Sequence, residues 1–234
     1  MQPLPEDFER AVAAVAHPDD LEYGAAAAVA RWTAQGREVS YVIATRGEAG
    51  IAGMPPERVR PIREDEERRS AAVVGVREVV FLDHPDGLVE YGVPLRRDLA
   101  AEFRRLRPDV VIAMNFELTW GDSGTVNHAD HRAVGLAVLD ACRDAANPWL
   151  FPDAGPPWSG IRHAYVAAGG DPTHYVDVTA TIEAGIASLR EHSAYLEGLG
   201  RDFDPDQFLR DMTGFVGLAA GCDHAIGFRR YQTG

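Results

Sequence analysis

Two short stretches carry residue types that bind metal ions and move protons. "AHPDD" supplies His17, Asp19 and Asp20, and far down the chain "NHADH" supplies His128, Asp130 and His131. Imidazole nitrogen and carboxylate oxygen are ordinary zinc ligands, and a catalytic zinc takes three of them and keeps one position open. His17 and Asp20 can turn toward one point, which leaves Asp19 as a free acid beside it. Two ligands are too few. His128 and His131 stand three apart where a helix begins, hence on one face, and either can complete the set. Asp130 between them caps that helix or fixes one imidazole in a single tautomer. A capping role alone accounts for one aspartate of "HPDD" and leaves His17 and the other unexplained.

His-Pro-Asp occurs again in "LDHPDG" (82–87), but Pro-Asp-Gly is a turn sequence with no second acid. His84 reads as a turn or surface residue, while Asp86 still faces the crevice beyond a strand. Glu48 in "TRGEAG" lines the pocket or is a solvated loop acid, and Trp120 in the long loop stacks on a ring of the ligand, acts as a lid or packs locally. His163, His174, His192 and His224 have no partner at ligand spacing and read as structural. The acids of 64–67, with Arg68 and Arg69, read as a solvated helix face.

The elements that position these residues alternate. "RAVAAVA" (10–16), "EVSYVIAT" (38–45), "EVVFLD" (78–83) and "DVVIAM" (109–114) read as buried strands. Between them lie helical patterns at 21–36, 61–75 and 95–107, the second opened by Pro61 and closed by Gly75. A long loop, "NFELTWGDSGTVN", leads into a helix at 128–146. Strands near 162–168 and 174–179, a helix over 180–198 and a last helix and strand between 205 and 231 complete the chain. This order predicts a three-layer α/β/α, Rossmann-like domain with a mainly parallel sheet, its core over about 10–200 and a C-terminal helix and strand in 201–234. Ligands of such sheets bind beyond the carboxyl ends of the strands, and residues 17–20, 46–48, 83–86 and 115–131 all follow strands. The glycine fingerprints of dinucleotide and P-loop sites are absent.

Composition narrows the partners. A net charge of -13 disfavours nucleic acid and anionic membranes. Two cysteines, Cys142 and Cys222, in no CxxC pattern, exclude thiolate zinc sites and suit a cytoplasmic location; "MQPLPEDFER" is unlike a signal peptide. Nothing in the sequence fixes an oligomeric state.

"AHPDD" and "HxDH" together resemble the PIG-L (LmbE-like) de-N-acetylases. "TRGEAG", Arg63-x-x-Glu66, "LDHPDG", "RPDVVI" and "SLREHSAYL" match further segments, so the likeness spans about 10–200. The resemblance implies that His17, Asp20 and His131 bind one Zn²⁺, for which Fe²⁺, Co²⁺ or Mn²⁺ can substitute. It makes Asp19 the general base and His128, steadied by Asp130, the group that polarises or protonates the intermediate. Arg63 and Asp86 become substrate-binding positions. Leu21 stands where many members have Glu, Ala129 where proline is usual, and alanines where the first helix often has Gly-Gly-Thr. The implied reaction removes an N-acetyl group from an N-acetylglucosamine-type sugar or glycoconjugate. The alternatives are an amidase acting on a thiol–sugar conjugate and a non-catalytic metal-binding module; the free acid Asp19 speaks against the last.

Overall fold

The computed structural model describes residues 1–121, 124–199 and 203–233. Residues 122–123 of the long loop, 200–202 and 234 lie outside the described residues. The elements are β1 (Gln2–Pro3), β2 (Arg10–Val15), α1 (Asp20–Gly24), α2 (Ala26–Ala34), β3 (Glu38–Ile43), α3 (Pro56–Val73), β4 (Glu78–Phe81) and α4 (Val93–Leu106). Then follow β5 (Val110–Met114), α5 (Ala129–Asp144), β6 (His163–Ala167), β7 (His174–Asp177), α6 (Ile182–Arg190), α7 (Ser193–Gly198), α8 (Pro205–Ala220) and β8 (Ala225–Gln232).

The eight strands form one sheet in the order β1-β7-β8-β6-β5-β2-β3-β4. All neighbours are parallel except β8, which runs antiparallel to both β6 and β7. Successive side chains of a strand point to opposite faces, and β2 uses both. Ala11, Ala13 and Val15 join a core with Leu21, Trp32 and Tyr41, while Val12 and Ala14 join one with Leu95, Leu99, Phe103 and Val138. Burial on both faces is why these strands are continuous apolar runs, and it makes the architecture three-layered, as the alternation predicts.

The chain turns one way from β2 to β3 and lies on the other side at β5, so the crevice between β2 and β5 is a switch point of the sheet. The register sets Ala11 beside Val110 and Ala13 beside Ile112, which brings the segments after the two strands together.

Four local details depart from the expectation. The helix over 21–36 breaks at Ala25 (φ -143°, ψ -12°) into α1 and α2. That over 180–198 breaks before Ser193, with His192 in the N-cap position of α7. α3 starts at Pro56, five residues earlier than Pro61, which therefore sits inside a helix and removes one ladder hydrogen bond. The short edge strand β1, too brief to show a period, pairs with β7. No helix among the described residues is long and apolar enough to cross a membrane.

Candidate active site

His17, Asp19 and Asp20 lie in the turn from β2 into α1; Asp130 and His131 lie in the first turn of α5, with His128 in its N-cap position. Three donor atoms from the two motifs converge. His17 Nδ1 is 3.1 Å from His131 Nε2, His131 Nε2 is 3.0 Å from Asp20 Oδ1, and His17 Nδ1 is 3.8 Å from Asp20 Oδ2. Ligands about 2.0–2.1 Å from a tetrahedral metal stand about 3.4 Å apart, so these separations suit one ion. A nitrogen of His128 also falls within 4.8 Å of His17 and His131, from an exposed position.

The surroundings settle which atom of each ring points inward. Asn127 donates its amide N–H to the carbonyls of Asn115 and Glu117, so its Oδ1 is the acceptor facing His131 Nδ1 at 2.9 Å. His131 Nδ1 therefore donates, and its Nε2 carries a lone pair. His17 Nε2 faces two carboxylates, Asp130 Oδ2 at 3.2 Å and Asp86 Oδ1 at 3.1 Å, and donates to them, which leaves the Nδ1 lone pair. Asp20 Oδ2 accepts the backbone N–H groups of Ala16 and His17, and its Oδ1 faces the rings. With His17 neutral, two lone pairs and a carboxylate oxygen meet at about 3 Å, an arrangement that calls for a cation among them, either a metal ion or, without one, a proton on His17 Nδ1. The donor set fits zinc.

Without a metal, the surrounding carboxylates hold that proton on His17. Burial lowers the affinity of His17 for a proton, but Asp130, Asp20 and Asp86 outweigh it and hold the ring well above its ordinary value. Burial raises Asp20, yet His131 and His17 prevail and keep it well below the carboxylate range. His128 is lowered by burial and by the neighbouring rings, so it is neutral at neutral pH.

Asp19 is buried, with φ at 100°, a backbone state that a side chain rarely adopts. Three contacts hold it there. Its N–H donates to Glu67 Oε2 at 3.2 Å, its Oδ1 lies 3.3 Å from Arg63 Nη2, and the same guanidinium donates to the Pro18 carbonyl. Arg63 in turn stacks 4.0 Å from the Tyr195 ring centre, and the Tyr195 hydroxyl meets Asp19. Burial lifts the Asp19 carboxyl above its ordinary value, against the pull of Arg63, which suits a base working near neutrality.

Each remaining candidate has a defined partner in the structure. Asp130 pairs with His17, not His128, and accepts the N–H groups of Gly87 at 2.7 Å and Val89 at 3.1 Å. It thereby ties the "HPDG" turn to the site. Asp86 also points at His17 and accepts from Ala49 N–H. Glu48 braces that turn by accepting from the N–H groups of Asp86 and Arg46. Arg63 is fully buried against Asp19, and Trp120 lies edge-on to His131 with ring centres 5.4 Å apart. The solvated face expected at 64–67 holds only in part, because Glu66 and Glu67 are buried and Glu64 is half-buried, while Asp65 is exposed. His192, expected to lack an acidic partner, faces Glu22 and Glu67. Asn127, Glu67 and Tyr195 escaped sequence reasoning; only their places beside "HADH", Arg63 and the "EHS" segment hinted at them.

Comparison with known proteins decides the family. Residues 12–142 match the PIG-L family, described as GlcNAc-PI de-N-acetylase. The chain belongs to the PIG-L family. Among its relatives in that family, the diacetylchitobiose deacetylase of Thermococcus kodakarensis is 25% identical over 231 residues, covering 95% of this chain and 83% of that protein. A 1D-myo-inositol 2-acetamido-2-deoxy-alpha-D-glucopyranoside deacetylase of Saccharopolyspora erythraea is 31% identical over 163 residues, or 61% of this chain and 60% of the relative. In structure, the N,N'-diacetylchitobiose deacetylase of Pyrococcus horikoshii superposes with a TM-score of 0.86 at 24% identity, over 97% of this chain and 85% of the other, which shows the shared fold.

Proposed function

We propose that the protein is a metal-dependent N-deacetylase that hydrolyses the acetamide of an N-acetylglucosamine-type sugar or glycoconjugate. The observation that carries this reading is a free, buried acid, Asp19, held beside three converging ligand atoms at a strand-end crevice. Relatives named as deacetylases of diacetylchitobiose and of an inositol-linked 2-acetamido sugar support the bond and the sugar class.

His17, Asp20 and His131 would hold the ion, zinc by the chemistry of the set. When bound, zinc supplies Lewis acidity to the acetamide carbonyl and acidifies the attacking water. Asp19 takes the proton from that water as the C–O bond forms, then passes it to the nitrogen as the C–N bond breaks, giving acetate and the free amine. Arg63 keeps Asp19 oriented and its proton affinity in range. His128, as a neutral imidazole at the rim, donates an N–H to the oxyanion, a contribution of about 10²–10³ in rate at comparable sites. Asp130 and Asp86 act through His17, and Asn127 through His131, by fixing the tautomers.

The test is release of the free sugar amine, with acetate measured in parallel, from a panel of N-acetylglucosamine, its short oligomers, an inositol-linked 2-acetamido sugar and a thiol–sugar conjugate, with wild type and Asp19→Asn. Turnover of an N-acetyl sugar is expected, with Asp19→Asn retaining its metal but losing about 10²–10⁴ in kcat. Cleavage of the conjugate alone would move the protein to the amidase reading, and metal binding without any turnover would leave a binding module.

A further inference from the structure

Deeper in the molecule lies a second group of ligand-type side chains that the reaction above does not use. Glu22, two residues past Asp20, turns into the core, where it meets Glu67 of α3 and His192, the residue at the break between α6 and α7. All three are buried to within 2% of full enclosure. His192 Nε2 is 3.6 Å from Glu22 Oε2 and 3.7 Å from Glu67 Oε2, and one donor atom of each residue lies within 4.8 Å of the other two.

These contacts are too long for hydrogen bonds between imidazole and carboxylate, which close to about 2.7–2.9 Å. Among the described residues, Glu22 Oε2, Glu67 Oε1, both nitrogens of His192 and the hydroxyl of Tyr41 have no hydrogen-bond partner. Burial and the charges of Glu22 and Glu67 both push the Tyr41 hydroxyl upward, which places it beside them. The oxygens that are engaged are pinned from outside. Glu22 Oε1 accepts from Ser70 Oγ at 2.5 Å, and Glu67 Oε2 accepts from Asp19 N–H. What remains is an inward-facing, buried set of two carboxyl groups and an imidazole. Leaving such groups unpaired costs about 1–3 kcal/mol for each neutral group and more for each charge. His192 Nε2 nevertheless stands 3.6–3.7 Å from both acids, close to the separation of about 3.4 Å between ligands of one tetrahedral ion.

We propose that Glu22, Glu67 and His192 form a second, closed site for a divalent transition-metal ion of zinc's type. Carboxylate with imidazole suits Zn²⁺ or Mn²⁺, and enclosure on all sides is the mark of a structural rather than a catalytic ion. An ion there ties α1, α3 and the α6–α7 break together, and through Glu67 it steadies the backbone of Asp19. The proposal stands apart from the deacetylase reading, since it rests on different ligands.

The test is anomalous diffraction at the zinc and manganese edges from crystals of the wild-type protein, with metal content per chain measured on the same sample. Two peaks are expected, one among His17, Asp20 and His131 and one among Glu22, Glu67 and His192, with about two ions per chain. His131→Ala should remove the first ion alone, and His192→Gln the second alone. A single peak at the first site, with a water or a direct His192–Glu hydrogen bond at the second, overturns the proposal; so does a His192→Gln variant that still holds both ions. No peak at either site overturns it together with the metal-dependent reaction. A single peak at the second site would leave the proposal standing and remove only the reaction. Should His192→Gln fail to fold, the wild-type diffraction decides.

Discussion

At the scale of single residues, the site is a matter of which atom each ring presents. Asn127 takes the Nδ1–H of His131 and so turns Nε2 to the ligand cluster. Asn127→Ala should weaken metal binding by about 10–100-fold, read by competition with a chelating dye, while folding is retained. An unchanged affinity would mean that the tautomer is fixed by something else. Proton linkage gives a second test on metal-free protein. His17 has a folded pKa well above its ordinary 6.5, so its contribution to stability is complete below that pH and is lost as pH rises through the folded value. Asp20 has a folded pKa well below 3.8, so its contribution is present above that value and lost only as pH falls through the folded one. In EDTA, the melting temperature should therefore fall as pH is raised from 6.5, and saturating zinc should flatten the decline. A metal-free melting temperature that rises over that range would contradict the His17 environment described here.

The elements serve to hold strained or buried groups that no side chain could hold alone. The loop after β3 packs its backbone on Arg63: Gly47 has φ at 65°, and a Cβ there would stand 2.8 Å from Arg63 Nε. Gly47→Ala should therefore cost about 1–2 kcal/mol for the left-handed backbone and displace the guanidinium that orients Asp19. A lower melting temperature together with reduced turnover is the expected pair of results; lost stability with full activity would free Arg63 from that role. α3 explains why its charges misled. Its sequence is among the most polar in the chain, yet Arg63, Glu66, Glu67 and Ser70 form its inner face and meet Asp19, Ala194, Glu22 and Ser188 instead of an apolar core.

For the whole molecule, the sheet is the rigid base on which the crevice stands. β2 and β5 are buried on both faces, and Ile112 at the centre of β5 is fully enclosed. Ile112→Ala should lower unfolding free energy by about 2–5 kcal/mol in urea titration. Because that side chain lies away from the ligand atoms, metal stoichiometry in the folded fraction should be unchanged. A loss below 1 kcal/mol, roughly, would show a core able to collapse around the void.

Much of this was legible in the residues themselves. Apolar runs flanked by turn residues are local facts, and they located β2, β3, β4 and β5 and the helices between them. Because a parallel α/β sheet gathers its strand ends on one side, that reading also placed "HPDD" and "HADH" at one crevice before any coordinate was known. Pairings between distant residues were not legible. That Asp130 serves His17, that Asp86 joins it, and that Glu22, Glu67 and His192 meet in the core depend on contacts between residues 45 to 170 apart in the chain. Such contacts leave no periodic trace, since hydrophobic period reports only which face of an element is buried, and buried charges look like solvated ones in it. The insertion of antiparallel β8 between β6 and β7 is of the same kind. Local sequence chose the elements and the reactive side chains; only tertiary packing decided which polar atoms face one another, because that choice is made where chain segments far apart exclude water together.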